Sequence, residues 1–231
     1  MFTLSSVVPW GRSSDEYARM FALSDADLQG RVLGCGDGPA SFNAEATRRG
    51  ARVVSCDPIY RFDAVQIRRR IDETAAEVLE QARQNAHEFV WNDVIPDIET
   101  LKHVRMAAMT AFLDDFDAGR REGRYVDAGL PSLPFADGTF DLALCSHFLF
   151  LYSQQHDAAF HVAALRELCR VAREVRVFPL LALGGQPSPH LGAARQALTA
   201  DGWHSSIERV PYEFQRGGFE MLRVRRYDWQ A

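Results

Sequence analysis

Residues 31–40 read Arg-Val-Leu-Gly-Cys-Gly-Asp-Gly-Pro-Ala, and residues 51–58 read Ala-Arg-Val-Val-Ser-Cys-Asp-Pro. The first stretch predicts a short buried strand over 31–33 that breaks into a glycine turn. A helix over 39–49 follows, closed by Gly50, and then a second strand over 51–56 with a carboxylate at its tip. Gly34, Gly36 and Gly38 allow a sharp bend and a close backbone approach to a ligand. Asp57 lies twenty-one residues past Gly36, where a carboxylate at the end of a second strand can bind ribose hydroxyls. The pattern predicts half of a nucleoside site. Asp57 could also cap the segment that follows it, and Asp37 could either cap the helix or meet a ligand's ammonium group.

Outward from this unit, strands are expected over 124–126, 140–146, 175–181, 205–210 and 219–226, with helices over 155–171 and 190–200. Alternation of strand and helix, closed by a hairpin-like pair, predicts a mostly parallel sheet with an antiparallel C-terminal edge. Residues 1–30 read as a helical lead-in with an apolar stripe of Tyr17, Met20, Phe21 and Leu23. The segment 62–119 carries two helical repeats. Ile67, Ile71, Ala75, Val78, Ala82, Ala86 and Phe89 form the first stripe; Leu101, Val104, Ala108, Phe112 and Phe116 form the second. One helix suffices to cross between parallel strands, so 62–119 is expected to be a helical insertion. The whole of 1–231 is expected to be one domain.

Composition limits the alternatives. The chain has 231 residues, 47% hydrophobic and 25% charged, with a formal net charge of −5. That balance argues against a nucleic-acid partner, which usually meets a basic face. Arg68, Arg69 and Arg70 fan around a helix and read as a solvated face. Cys35, Cys56, Cys145 and Cys169 are too scattered for a zinc site or disulfide framework, so no metal is expected and a cytoplasmic location fits. No apolar run is long enough for a membrane span, and no membrane partner is expected.

The glycines run G-x-G-x-G. A dinucleotide fingerprint requires G-x-G-x-x-G/A, whereas Ala40 falls four residues after Gly36; the Gly-Lys-Ser/Thr ending of a phosphate loop is missing. Downstream stand Asp127-Ala128 and the run Leu133-Pro134-Phe135-Ala136-Asp137-Gly138-Thr139-Phe140-Asp141. Together these resemble the class I, Rossmann-like S-adenosylmethionine-dependent methyltransferases, over about residues 31–177. The resemblance implies a three-layer α/β fold with a mostly parallel seven-stranded sheet, S-adenosyl-L-methionine as cofactor, and methyl transfer to an acceptor. It implies donor contacts from Gly34, Cys35, Gly36, Asp37, Gly38, Asp57 and Pro58, with Asp127-Ala128 at the adenine and Ser146 at the end of the fourth strand. Two departures stand out. Val32 occupies a position that the family usually gives to an acid, so a contact toward the methionine end is missing or comes from elsewhere. Two extra residues follow Asp127-Ala128, which makes Gly129 or Leu130 alternative adenine contacts.

His147 follows the fourth strand, where it could act as a general base or simply pack among Phe148, Leu149, Phe150 and Leu151. Tyr152 could border the acceptor pocket. Trp10 could shield the site or anchor the lead-in helix, and Arg12 could pair with the methionine carboxylate. The remaining histidines (87, 103, 156, 161, 190 and 204) are expected at the surface. The acceptor is expected to be a small molecule, and 62–119 a lid over it or a homodimer surface. A non-catalytic donor-binding sensor or partner subunit, and a nicotinamide-dependent oxidoreductase, are the alternative functions.

Overall fold

Val32, Leu33 and Cys35 are fully enclosed in strand β1 (Arg31–Cys35) of the computed structural model, which describes residues 8–226. β1 pairs in parallel with β2 (Arg52–Cys56) on one side and with β4 (Phe140–Ser146) on the other. The short β3 (Tyr125–Val126) extends the sheet beyond β2, and β5 (Ala172–Phe178) extends it beyond β4. β7 (Glu220–Arg226) runs antiparallel to β5 and carries β6 (Trp203–Arg209) at the edge. The resulting order, β3-β2-β1-β4-β5-β7-β6, is that of the Rossmann-like methyltransferase fold.

Helices cover both faces, so the central strands are apolar throughout and do not alternate. On one face Leu33, Ala143 and Val175 pack against Leu165 and Leu168 of α6 (Ala158–Val171) and Leu198 of α7 (Leu191–Ala200). On the other, Val32, Val53 and Leu142 meet Tyr17 and Met20 of α1 (Ser14–Met20) and Phe42 of α3 (Phe42–Arg48). A short α2 (Asp25–Gln29) precedes β1.

Between β2 and β3 the chain runs through α4 (Ala64–Gln84) and α5 (Ile98–Arg121). Each begins at an aspartate that captures an otherwise unpaired helix N–H: Asp63 accepts from Gln66 (2.8 Å) and Asp97 from Thr100 (2.7 Å). Ile67 and Ile71 of α4 meet Met109, Phe112 and Phe116 of α5 around the rings of Tyr60 and Tyr125. Arg68, Arg69 and Arg70 are exposed, as expected.

Several boundaries differ from expectation. α3 starts at Phe42 and not at 39, because the Ala40 N–H turns back to the Asp37 carbonyl and the Ser41 N–H donates to the Arg12 carbonyl (3.0 Å). α6 starts at Ala158, where the Asp157 carboxylate caps the Phe160 N–H (2.8 Å). β5 emerges directly from α6 at Ala172 and ends at Phe178, since Pro179 has no N–H with which to continue the ladder. His161 also departs from its expected surface position. It is fully enclosed, on the same helical face as Leu165 and Leu168.

β1 is the point at which strand order reverses, with β2 to one side and β4 to the other. Connections leave the C-terminal ends of β1 and β4 in opposite directions, which opens a crevice between them.

Candidate active site at the carboxyl ends of the strands

The crevice leads into a cavity of about 570 Å³, within the range of small-molecule sites. Its floor is the turn after β1. Gly36 has φ +70°, and its N–H donates to the Cys56 carbonyl (2.9 Å), which folds the turn over the end of β2. A Cβ at Gly36 would lie 2.8 Å from the Cβ of Phe148, so the corner has no space for a side chain.

Asp37 does not cap α3. Its side chain turns back over Gly34, where a Cβ would stand 1.8 Å from Asp37 Oδ2. There the Tyr17 hydroxyl donates to Oδ1 (2.8 Å) and the Ser55 hydroxyl to Oδ2 (2.6 Å). Gly34 therefore makes room for a carboxylate and does not itself line the cavity. Burial pushes the Asp37 carboxyl up to about 7, against the two hydroxyl hydrogen bonds and helped by the negative Asp57. The acid absent from position 32 thus has a counterpart on the same sheet face, supplied from the turn.

Asp57 takes up the capping role expected of it. Oδ1 accepts the Ile59 N–H (2.9 Å) and caps the single turn Pro58–Arg61, while Oδ2 accepts the Gly38 N–H (2.9 Å). The Tyr60 hydroxyl closes the loop by donating to the Gly38 carbonyl (2.7 Å). Each carboxylate oxygen keeps acceptor capacity beyond its one backbone bond, and Asp57 lines the cavity. Burial raises its carboxyl above the ordinary range despite these bonds.

Cys35, Gly36, Asp37, Gly38, Pro58 and Ser146 line the same cavity. Asp127 and Ala128 do not. Asp127 faces outward toward Arg61 (3.4 Å), and Gly129 and Leu130 take the place at the cavity wall beside Pro58 and Ile59. Cys35 sits in register between Cys56 and Cys145, all three buried. Burial pushes the Cys145 thiol up to about 12, leaving it protonated and a packing group.

His147 turns off the end of β4 with φ +50°, an uncommon conformation for a residue with a side chain. Its N–H donates to the Phe178 carbonyl (2.7 Å), Nδ1 lies 3.1 Å from Ser146 Oγ, and the imidazole borders the cavity. Burial, with Arg12 and Arg105 nearby, lowers its pKa well below the usual value, so the ring is neutral at pH 7. Tyr152 and Trp10 line the cavity too, and Trp10 also packs against two core clusters. Arg12 borders the cavity with its Nη1 donating to the Trp10 carbonyl (2.6 Å).

A buried ion pair between Glu16 and Arg105, 89 residues apart, lies behind this wall and had no sequence signal. Tyr212 donates its hydroxyl to Glu16 Oε1 (2.7 Å). Burial alone would raise the Glu16 carboxyl, but Arg105 holds it well below the carboxylate range. Tyr17, Ser55 and Tyr60 likewise enter the site as positioning groups that sequence patterning reads only as core or strand residues.

No family model matches the chain. It is 31% identical over 224 residues to "Uncharacterized protein MJ0045" of Methanocaldococcus jannaschii, covering 96% of this chain and 98% of that one. Among solved structures it is similar to a 1,6-didemethyltoxoflavin-N1-methyltransferase of Burkholderia thailandensis bound to 1,6-didemethyltoxoflavin and S-adenosylhomocysteine. The identity is 17%, over 93% of this chain and 80% of that one, with a TM-score of 0.48. It is also similar to the magnesium protoporphyrin IX methyltransferase of Synechocystis PCC 6803 with bound SAM, at 16% identity over 92% and 77% of the chains and a TM-score of 0.45. At these identities and scores neither likeness decides the fold, which the strand order already gives.

Proposed function

We propose a function for the family to which this chain belongs, that of protein MJ0045 of Methanocaldococcus jannaschii: transfer of a methyl group from S-adenosylmethionine to a small-molecule acceptor. The observation that carries this reading is the hydrogen bond from Gly38 to Asp57, which fixes a carboxylate beside a glycine corner at the switch point of the sheet.

The residues suit an adenosyl group with an amino-acid tail. Asp57 accepts the two ribose hydroxyls, while Pro58, Ile59, Gly129 and Leu130 flank the adenine. Asp37, lining the cavity beside Cys35 and Gly36, meets the donor's ammonium. Ala40 falls four residues after Gly36 and α3 begins only at Phe42, so the turn lacks the spacing that presents helix N–H groups to a pyrophosphate, which disfavours a dinucleotide. When bound, the donor supplies an electrophilic methyl group on a positively charged sulfur, and a neutral thioether leaves.

The chain's own contribution is placement and exclusion of water. The turn after β1 and the end of β4 meet at the corner where Gly36 touches Phe148, so donor and acceptor face each other across it. For a hydroxyl acceptor, neutral His147 takes the proton as the oxygen forms its bond to carbon; its Nδ1 is oriented by Ser146.

Calorimetry with adenosylhomocysteine and NADH tests the reading. Adenosylhomocysteine is expected to bind and NADH not to, and Asp57→Ala should weaken adenosylhomocysteine by about tenfold or more, the scale of losing charge-assisted hydrogen bonds. Unchanged affinity in Asp57→Ala would remove the ribose assignment, and preferential binding of NADH would remove the function.

A further inference from the structure

Positive charge is in surplus along one wall of the cavity. Arg105 is fully enclosed, and Glu16 is its sole carboxylate partner among the described residues. Arg12, half-buried at the cavity, has no carboxylate within ion-pair distance among those residues. Arg12 Nε, Arg105 Nε and Arg105 Nη2 are buried with no acceptor. Two guanidinium groups thus share one carboxylate. An uncompensated buried charge is costly, and an anion reaching Arg12 from the cavity would relieve it.

The neighbouring lining is largely apolar, with Glu88 and Gln215 as its polar members. Leu101, one helical turn before Arg105 on α5, lines the cavity together with Phe89 and Phe214. The rings of Phe89 and Phe214 stack at 5.0 Å, and the Arg105 guanidinium lies 5.8 Å from the Phe214 ring centre. The hydrocarbon comes from α5, the connection before it and the connection between β6 and β7, while Arg12 reaches the cavity from the segment before α1. Asp37, assigned above to the donor, accepts the Tyr17 hydroxyl (2.8 Å).

We propose that the methyl acceptor is an apolar molecule bearing a carboxylate, with its anion against Arg12 and its hydrocarbon body on Leu101, Phe89 and Phe214. The assignment of this ligand as acceptor rests on the methyltransferase reading. The donor's own α-carboxylate offers the same chemistry, and the experiment separates the two.

The protein, saturated with adenosylhomocysteine, is titrated calorimetrically with phenylacetate, its neutral isostere phenylacetamide, and the cation 2-phenylethylamine. Phenylacetate should bind at least about tenfold more tightly than either of the others. Arg12→Gln should abolish that preference while changing adenosylhomocysteine affinity less than about threefold, and Arg12→Lys should restore part of it. Circular dichroism melting establishes that both variants fold; if Arg12→Gln does not, Arg12→Lys carries the comparison, since a point charge without the planar fork should lose part of the preference.

Equal binding of the three probes, or no binding by any, overturns the proposal. So does an Arg12→Gln protein that loses adenosylhomocysteine but keeps the carboxylate preference, because the anion at Arg12 is then the donor's. If wild-type protein fails to bind adenosylhomocysteine yet selects phenylacetate, the donor reading falls and the carboxylate site stands, with its ligand no longer an acceptor.

Discussion

Gly34 and Asp37 occupy one another's space. A methyl group at position 34 would displace the Asp37 carboxylate from both hydroxyls that hold it, and a buried acceptor loses roughly 1–3 kcal/mol for each partner it forfeits. Gly34→Ala is therefore expected to lower stability by about 3 kcal/mol, or roughly 6–12 °C in melting temperature for a chain of this size. Adding Asp37→Ser should recover part of that loss, and additivity of the two substitutions would show that the residues do not compete. On the proposed reading, Asp37 should also make donor binding pH-dependent. With its carboxyl at about 7 in the free protein, a bound ammonium favours the ionised form and a proton is released. Adenosylhomocysteine affinity should rise from pH 5.5 to about 7 and then level off. Calorimetry in two buffers of different ionisation enthalpy would report the released proton, and Asp37→Asn should flatten the profile. Folding follows the opposite sign. A carboxyl raised from 3.8 to about 7 binds its proton more tightly in the folded state, so its contribution to stability is full below about pH 4 and lost as pH rises toward 7.

At the scale of elements, the helices between β2 and β3 decide the shape of the cavity and most tested what sequence can say. Their existence was legible because Ile67, Ile71, Val78 and Ala82, then Leu101, Ala108, Phe112 and Phe116, recur at helical steps and are buried. Arg105 was not legible. It shares the buried face with Leu101, Ala108 and Phe112, but a hydrophobic pattern counts a guanidinium as solvent-facing, and its partner Glu16 lies far away in the chain. His161 escaped for the same reason, on the buried face of α6. The glycine turn and Asp57 were legible because each acts through local backbone geometry. The choice of Gly129 and Leu130 over Asp127 and Ala128 depends on how the loop after β3 lies across Pro58, and spacing alone left it open. The caps at Asp63, Asp97 and Asp157 act locally too, although the sequence patterns did not single them out. Asp97→Ala should cost about 1 kcal/mol in urea unfolding by exposing the first turn of α5 to an unpaired N–H. A change below a few tenths would mean water replaces the carboxylate freely.

Across the whole molecule, the lead-in and the sheet are joined by Arg176 of β5. Its side chain is nearly inaccessible and donates to Asp27 (2.8 Å), Glu174 (2.6 Å) and the Phe21 carbonyl (2.8 Å). Arg176→Met should cost about 3 kcal/mol or more in urea unfolding, because it strands the partly buried Asp27 carboxylate, whereas Glu174 keeps Arg223. A loss under 1 kcal/mol would mean that α1 and α2 are held by their apolar contacts with the sheet alone. That clamp matters to the site, since Trp10 and Arg12 stand just before α1 on the cavity rim. The rim is assembled from residues 8–12, from the helices after β2, and from Phe214 and Gln215 near the C-terminal hairpin. A ribosome must therefore release residues 8 through 215 before the chamber can close, and occupancy by a nucleoside would report delivery of that last segment. Any fragment ending before residue 212 would keep the phosphate-free bend and its acid yet leave the chamber roofless.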